Sequence, residues 1–353
     1  MKKHALTGLA TTAILVAAAA APAACAAQPR TMVAEAQQTA PQSPEMRDLL
    51  TYVRNHGSTG FIVIEDGKVL IDQTWAAPAD DRVFTNFTYG KASNGDLLED
   101  VASQQKSFVA VLAAIAIDKG LLDIEAPVSR YLGDGWSKAT PEQEAHIRVI
   151  DILTMSSGLD ERFGYSAPSG STFFYNTPVY AVTKTIVAAA AGQSLETLTH
   201  DWLTAPTGMA DTAWRPRPAA LASVGNATGL VTTPHDVARF GLMVLHGGVG
   251  DNGVRVVSQA QLDALFTRST ANPAYGRLWW LNGGAYSMRA VAGRRDGPLI
   301  AAAPADLVGA LGAFDRRLFV VPSRQLVVMR TGAATNDTEF DQQLWTRLMK
   351  VIG

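Results

Sequence analysis

The chain has 353 residues, of which 47% are hydrophobic and 18% are charged, so it is long and apolar enough to bury a large core. Its formal net charge is −2 and it contains no basic stripe or run of lysine and arginine, which argues against a nucleic-acid partner. The single cysteine excludes an intramolecular disulfide.

The first 44 residues have the composition of an export segment followed by a linker. Residues 1–27 combine a basic start, an alanine-rich apolar stretch and small residues around Cys25, as in a cleaved signal peptide. Residues 28–44 are rich in Ala, Gln, Pro and Thr and are predicted to form a linker. An uncleaved anchor helix and a lipid anchor at Cys25 are the alternatives. We expect an exported protein, periplasmic or secreted, with no membrane span in its mature chain.

Local patterns between residues 46 and 120 predict a helix, a hairpin and a strongly apolar second helix. Residues 46–56 have helical spacing of apolar side chains. In residues 59–75, two β-branched runs flank Asp66-Gly67, which is a strong hairpin-turn signal. In residues 101–120, apolar side chains recur every three or four positions, which predicts a helix with a buried face.

Ser103 and Lys106 lie three residues apart at the start of that second helix. Side chains at this spacing share one helix face, so the Lys106 amine can lie beside the Ser103 hydroxyl. The helix N-terminus also favours negative charge that develops nearby. These are the ingredients of an activated serine nucleophile. The alternative is that Ser103 caps a core helix and Lys106 points into water.

Later elements are predicted in the same way. Residues 147–159 and the alanine-rich stretch that ends at Gly192 are predicted helices. Thr233 and Pro234 fit the N-cap and first position of another helix. Further predictions are strands at residues 278–284, 307–312, 317–321 and 326–331, and a closing helix at residues 341–351.

This order of elements places strands at both ends of the chain and helices in the middle. It predicts an α+β fold in which an antiparallel sheet is flanked by helices and carries an inserted, mainly helical domain. The predicted sheet domain comprises residues 45–102 and 215–353, and the predicted helical domain comprises residues 103–214.

Tyr175 is the second candidate catalytic residue, because it follows a Gly/Ser-rich loop and precedes a predicted helix. A tyrosine whose pKa is lowered by a nearby ammonium can shuttle the serine proton. The alternative is a packing aromatic beside Phe173 and Tyr180.

Other chemistries lack their motifs in this chain. There is no Gly-x-Ser-x-Gly elbow, no His-Glu-x-x-His, no cysteine cluster and no phosphate-binding glycine pattern. We therefore expect neither a metal nor another cofactor.

Several short motifs follow one another along the chain. They are SQQKSF at residues 103–108, IDILTMSSGL at 150–159, PTGMADT at 206–212 and GLVTT at 229–233, with Tyr175 and its helix between the second and the third. Taken together, the sequence resembles class C β-lactamases and related penicillin-recognising serine hydrolases, from about residue 48 to the C-terminus. Their S-x-x-K motif is the shared signature.

Two departures from the family pattern concern substrate binding. Thr177 stands where the family's Tyr-x-Asn has asparagine, and Ala310 stands where its Lys-Thr-Gly or His-x-Gly has a cation. The group that helps to hold a β-lactam carboxylate in relatives is therefore missing. Residues 330–332 look like Lys-Thr-Gly, but they lie one strand too late in the family order. The pattern looks closest to the esterase and amide-hydrolase branch, which includes nylon-oligomer hydrolases.

The resemblance implies a role for each candidate. Ser103 attacks an ester or amide carbonyl, Lys106 accepts its proton or keeps the hydroxyl pKa low, and Tyr175 relays the proton to the leaving group. Which of the latter two is the base stays open. The backbone N–H groups of Ser103 and Ala313 would form the oxyanion hole. The implied substrate-binding residues are Thr177, Gly312, Trp136, Trp279 and Trp280. For the three tryptophans, core packing is the alternative.

Three functions fit these observations. The first is an exported serine hydrolase that cleaves a small ester or amide. The second is a β-lactamase or D-Ala-peptide hydrolase of the cell wall, which the missing cation at Ala310 disfavours. The third is a non-catalytic penicillin-fold binding protein, which the intact Ser103, Lys106 and Tyr175 disfavour.

Overall fold

A computed structural model of the chain describes residues 43–289 and 293–353. The predicted signal peptide with Cys25, and the predicted linker up to residue 42, lie outside the described residues. Within the described residues, every helix is too short or too polar to cross a lipid bilayer.

Twelve strands occur in the described residues, and all their pairings are antiparallel. They are β1 (Ser58–Glu65), β2 (Lys68–Thr74), β3 (Thr88–Lys91), β4 (Leu97–Asp100), β5 (Ala213–Pro216), β6 (Thr228–Thr232), β7 (Trp280–Leu281), β8 (Tyr286–Arg289), β9 (Gly293–Asp296), β10 (Val308–Gly312), β11 (Arg316–Val321) and β12 (Leu326–Gly332). A six-stranded sheet has the order β2-β1-β12-β11-β10-β7, a four-stranded sheet has the order β3-β4-β6-β5, and β8 pairs with β9.

The six-stranded sheet joins the two ends of the described chain. Its second and third strands, β1 and β12, pair so that Phe61 lies opposite Arg330 and Val63 opposite Val328. The prediction of a mixed helix and antiparallel-sheet fold is therefore confirmed. The domain boundaries after residues 102 and 214 stay predictions.

The α-helices of the described residues vary from a single turn to four turns. They are α1 (Pro44–Asn55), α2 (Arg82–Thr85), α3 (Gln105–Asp118), α4 (Ser129–Leu132), α5 (Pro141–Glu144), α6 (Val149–Leu153), α7 (Thr177–Ala191), α8 (Leu195–Thr199), α9 (Ala205–Thr207), α10 (Ala219–Ala222), α11 (Pro234–Leu245), α12 (Gln259–Leu265) and α13 (Phe340–Ile352). A π-helical turn, His200–Thr204, joins α8 to α9.

Helices cover both faces of the six-stranded sheet. Successive side chains of a strand point to opposite faces, so Leu318 and Phe319 of β11 lie on different sides. On the side of Leu318, α11 approaches so closely that a Cβ on Gly241 would lie 2.7 Å from the leucine. On the other side, Phe319 packs edge-on against Trp345 of α13. The main core therefore has two layers, one on each face of the sheet.

The helix α3 is buried on all sides, whereas its sequence pattern predicted one buried face. Every residue from Gln105 to Ala116 is buried. One side contacts α11, where Phe108 stacks on Phe240 with ring centroids 3.8 Å apart, and α7, α12 and β10 pack around the rest. A helix that is apolar around its whole circumference is suited to such a central position.

Several local signals are realised as predicted. Asp66 and Gly67 form the hairpin turn with φ of 49° and 71°, the left-handed pair that a two-residue hairpin turn requires. The Thr233 hydroxyl accepts a 3.3 Å hydrogen bond from the Asp236 amide and caps α11. Gly192 ends α7 in the left-handed conformation, with φ of 63°.

Two predicted elements are shorter than expected. Residues 147–159 form a helix only over Val149–Leu153, because Met155 has φ of 57° and turns the chain away. Residues 278–284 form a strand only over Trp280–Leu281. Leu278 has φ of 58°, and its amide donates to the Leu153 carbonyl instead of to a neighbouring strand.

Candidate active site

Ser103 lies at the centre of a tight turn that connects the four-stranded sheet to α3. The turn is a 3-10 helix, Ala102–Gln104, and follows β4 after one residue. Ala102 has φ of 52°, a left-handed conformation that alanine seldom adopts. Ser103 is half-buried, and it enters the core helix directly behind this strained residue. Such strain persists only where the surrounding structure holds it.

The strand β10 lies directly beside the Ser103 turn. A Cβ on Gly312 would lie 2.4 Å from the Val101 carbonyl oxygen, so the strand can come this close only with glycine there. The Gln104 side-chain amide also donates to the Ala310 carbonyl, at 3.3 Å. The amide of Ala313 follows this close approach by one residue, which is consistent with its predicted part in the oxyanion hole.

The Lys106 amine contacts two hydroxyl groups and two aromatic rings. Its Nζ lies 2.9 Å from Ser103 Oγ and 3.3 Å from Thr177 Oγ1. It also lies over two phenol rings, 4.9 Å from the Tyr175 centroid and 4.6 Å from the Tyr180 centroid. The predicted trio of Ser103, Lys106 and Tyr175 is therefore in one place, with Thr177 beside it.

The electrostatic surroundings of Lys106 disfavour its ammonium form. The residue is only 2% exposed, and no carboxylate in the described part of the chain forms an ion pair with it. Burial holds its pKa well below the usual lysine range, and the charges of Arg217 and Lys184 lower this pKa further. A neutral amine with a free electron pair next to a serine hydroxyl is a suitable general base.

Tyr175 differs from the expectation in the direction of its pKa. Burial raises the pKa of Tyr175 to about 12, and a hydrogen bond with Ser103 only partly opposes this rise. The predicted lowering by a nearby ammonium does not occur, because the Lys106 amine is itself disfavoured as a cation. The phenol therefore keeps its proton at neutral pH and is suited to donate it.

The three candidate tryptophans lie in different surroundings. Trp280 stacks on the Tyr175 ring with centroids 5.8 Å apart, and Tyr275 packs edge-on against Trp280. Trp279, the next residue, is 0% exposed and packs against Phe240 in the core, so core packing is its role. Trp136 is half-buried against Phe163, and no described ring contact joins it to Ser103 or Tyr175.

The residues that resemble Lys-Thr-Gly at positions 330–332 lie away from the site, in the middle of the sheet. Arg330 is fully buried on β12, and its guanidinium donates to the Ser58 hydroxyl and to backbone carbonyls, including that of His56. The strand beside Ser103 is β10, which carries Ala310. This agrees with the choice of residues 310–312 as the counterpart of the family motif.

Three charged residues near the site were not singled out from the sequence. Asp100 and Arg217 form an ion pair directly below the Ser103 turn, and Lys184 of α7 donates to Asn226 Oδ1 at 2.6 Å. Arg217 and Lys184 are more than 80 residues from Ser103 in sequence, and Asp100 is only three residues before it but belongs to no motif, so the spacing gave no signal. The one available hint was a lysine within the otherwise apolar stretch of α7.

The arrangement provides an attacking hydroxyl, a neutral amine and a protonated phenol within contact distance of one another. Within residues 43–289 and 293–353, no group of His, Cys, Asp and Glu side chains is arranged to hold a metal ion. An attacking hydroxyl beside a proton acceptor and a proton donor is suited to covalent catalysis by a serine, with the proton moved by side chains.

Comparisons with known proteins agree with this geometry. The family model described as Beta-lactamase matches residues 37–351. A search of curated proteins finds no match. Among solved structures, a putative beta-lactamase from Bacteroides dorei DSM 17855 has a TM-score of 0.68 at 14% identity, covering 88% of this chain and 98% of its own.

Two further solved structures have a similar fold. A putative 6-aminohexanoate-dimer hydrolase from Bacillus anthracis has a TM-score of 0.64 at 14% identity and covers 86% of this chain and 81% of its own. A beta-lactamase/D-alanine carboxypeptidase from Yersinia pestis has a TM-score of 0.61 at 16% identity, with 85% and 94% covered. At these identities the likeness concerns the fold alone.

Proposed function

Because the chain belongs to the beta-lactamase family, whose members are generally serine hydrolases, we propose that it cleaves a small ester or amide through an acyl-enzyme on Ser103. The observation behind this proposal is the position of the Lys106 amine, which is buried, has no carboxylate partner among the described residues and lies 2.9 Å from Ser103 Oγ. Export from the cytoplasm, inferred from residues 1–27, is part of the same proposal.

Acylation begins with proton transfer from Ser103 to Lys106. The neutral amine accepts the hydroxyl proton while Oγ attacks the carbonyl carbon, which gives a tetrahedral oxyanion. The amides of Ser103 and Ala313 would donate to that oxyanion, at the place where β10 lies against the turn.

The leaving group departs with a proton. Tyr175, whose pKa is raised, can donate its phenol proton to the departing alkoxide or amine and recover a proton from Lys106. Water then attacks the acyl carbon and Lys106 accepts its proton. As the bond to Oγ breaks, Lys106 returns that proton to Oγ, so that the acid is released and both side chains are restored. The structure thus favours Lys106 as base and Tyr175 as acid, a choice that the sequence left open.

The missing cation at Ala310 supports an ester or amide substrate without the carboxylate of a β-lactam. The residue is fully buried on the strand that lies beside Ser103, and it cannot form a charge-assisted hydrogen bond. We expect a p-nitrophenyl short-chain ester to be hydrolysed and the β-lactam nitrocefin to be turned over only feebly. Brisk nitrocefin turnover would favour the β-lactamase alternative.

The test is labelling with a fluorophosphonate, in which the serine oxygen displaces fluoride, followed by mass mapping of the labelled residue. We expect the label on Ser103, and we expect Ser103→Ala to lose both the label and the ester hydrolysis. Ser93→Ala, at an exposed turn, serves as the matched control and should behave as wild type. A wild-type ester rate no higher than that of Ser103→Ala would leave the non-catalytic binding protein as the better interpretation.

A further inference from the structure

We propose that Arg217 is a positioning residue which, together with Asp100, holds the turn that presents Ser103 to the substrate. This inference rests on the proposed hydrolase function, because it assigns a task within the same site. Arg217 directly follows β5, and Asp100 is the last residue of β4, so the pair joins two strands of the four-stranded sheet that are separated by β6.

The ion pair between Arg217 and Asp100 is buried and bidentate. Arg217 Nε lies 2.6 Å from Asp100 Oδ2, and Arg217 Nη2 lies 2.8 Å from Asp100 Oδ1. The side chains of Arg217 and Asp100 are 5% and 0% exposed. The planar guanidinium fork matches both carboxylate oxygens, which fixes the orientation of the carboxylate as well as its position.

The oriented carboxylate holds the strained residue of the turn. Asp100 Oδ1 also accepts a 2.8 Å hydrogen bond from the amide of Ala102, the residue with φ of 52°. Ser103 is the next residue, so a rotation of the Ala102 peptide would displace the attacking oxygen. A left-handed alanine needs such a partner, because its conformation is otherwise unfavourable.

The adjacent strand leaves space for this ion pair. A Cβ on Gly229 of β6 would lie 1.9 Å from Asp100 Oδ2 and 2.9 Å from Arg217 Nε. Any other residue at position 229 would collide with the carboxylate. The backbone of β6 also accepts a hydrogen bond from the turn, since the Val101 amide donates to the Leu230 carbonyl at 3.0 Å.

The charge of Arg217 acts on Lys106 as well. The groups that face the Lys106 amine are the hydroxyls of Ser103 and Thr177, the rings of Tyr175 and Tyr180, and the charges of Arg217 and Lys184. After burial itself, Arg217 is the largest cause of the lowered pKa of Lys106. Asn226 links the two cations: its backbone carbonyl accepts a hydrogen bond from Arg217, and its side-chain oxygen accepts one from Lys184.

The first experiment separates the two-point hydrogen bonding of the Arg217 guanidinium from its positive charge. Arg217→Lys keeps the positive charge but cannot bind both oxygens of Asp100. We expect kcat for the ester to fall by about tenfold or more, with KM nearly unchanged and the acid limb of the pH profile at its wild-type position. Arg215→Lys, the same change at the exposed neighbouring site on β5, should leave all three unchanged.

The second experiment removes both charges together, with Asp100→Asn and Arg217→Gln in one chain. Arg217, but not Asp100, is among the charges that lower the pKa of Lys106, so the amine stays protonated to higher pH although a carboxylate is removed together with the guanidinium. We expect the acid limb of kcat/KM to move to higher pH, which a merely structural role for the pair would not cause. Thermal unfolding and fluorophosphonate labelling are followed in parallel for all variants.

The outcomes distinguish this inference from the proposed function. If wild type is not labelled at Ser103, the proposed function fails and the inference with it. If wild type and Arg217→Lys are both labelled at Ser103 and hydrolyse the ester at the same rate, only the inference about Arg217 is overturned. Failure of both variants to fold, or a loss of stability with kcat and pH profile unchanged, would assign the pair a purely structural role.

Discussion

Buried cations in two regions of this protein have opposite surroundings. In the middle of the sheet, Arg330 is fully buried and donates five hydrogen bonds, to the Ser58 hydroxyl and to the carbonyls of Phe314, Asp315, His56 and Ala333. Beside Ser103, the amine of the similarly buried Lys106 contacts hydroxyls and aromatic rings, and no carboxylate of residues 43–289 or 293–353 pairs with it.

The difference shows how the protein separates a structural cation from a chemical one. Burial lowers the pKa of Arg330 to about 9, so the guanidinium remains charged at neutral pH and fixes the ends of β1 and β12. Without an anion or a set of carbonyls, the Lys106 amine is driven towards its neutral form. Burial is therefore compatible with a charged structural residue at Arg330 and with a neutral proton acceptor at Lys106.

Substitution of Lys106 should have the largest effect on activity and little effect on folding. We expect Lys106→Met to reduce ester hydrolysis to the level of Ser103→Ala, while the free energy of unfolding stays equal or rises. In the unfolded chain this lysine is protonated at neutral pH, so folding costs the removal of a proton that methionine does not carry. Urea unfolding alongside the rate measurement checks both parts, with exposed Lys138→Met as control.

Substitution of Arg330 should reverse that pattern. Arg330→Met leaves five acceptors without this donor, two of them on the buried residues Ser58 and Ala333, and we expect it to lower the free energy of unfolding by more than about 3 kcal/mol. Labelling of Ser103 in the fraction that remains folded should be close to that of wild type. An Arg330→Met variant that unfolds like the exposed control Arg215→Met would show that the acceptors are satisfied in another way.

His235 is a third partly buried cation, and its partners are carboxylates. We expect substitution of His235 to have a smaller effect than the two substitutions above, and an effect that depends on pH. It lies between two carboxylates, with Nδ1 2.5 Å from Asp96 and Nε2 3.1 Å from Asp72. These partners raise its pKa from 6.5 to about 10.

Because the folded-state pKa of His235 is raised, its stabilising contribution is complete below pH 6.5 and disappears as pH rises through about 10. We expect the stability difference between wild type and His235→Gln to be largest near pH 6 and to shrink steadily towards pH 10. Urea unfolding at several pH values measures it. A difference that does not change with pH would mean that the two carboxylates do not hold the proton on the ring.

Much of the fold could be predicted because its signals are local. The Asp66-Gly67 turn, the Thr233 cap and the Gly192 stop each depend on neighbouring residues and are found as expected. The shortened elements depend on distant contacts instead. The Leu278 amide, for example, binds the Leu153 carbonyl, which no pattern around residue 278 reveals.

The candidate site was predictable only in part for the same reason. Ser103 and Lys106 share one helix turn, whereas Tyr175 is about 70 residues away and was suggested by its place between a loop and a helix and by the family resemblance. Trp279 lies just before β7 and packs in the core, whereas Trp280 stacks on Tyr175, and the two adjacent tryptophans cannot be told apart in this way from the sequence. Asp100 and Arg217 meet across β6, so neither could be recognised as part of the site.

The most direct test of the account is the titration of the Lys106 amine itself. The protein is labelled at the lysine side chains and followed by NMR as a function of pH, and Lys106→Met assigns the signal by its absence. We expect this amine to lose its proton at a clearly lower pH than exposed lysines such as Lys138, within the range where ester hydrolysis rises. A Lys106 signal that titrates together with the exposed lysines would contradict it.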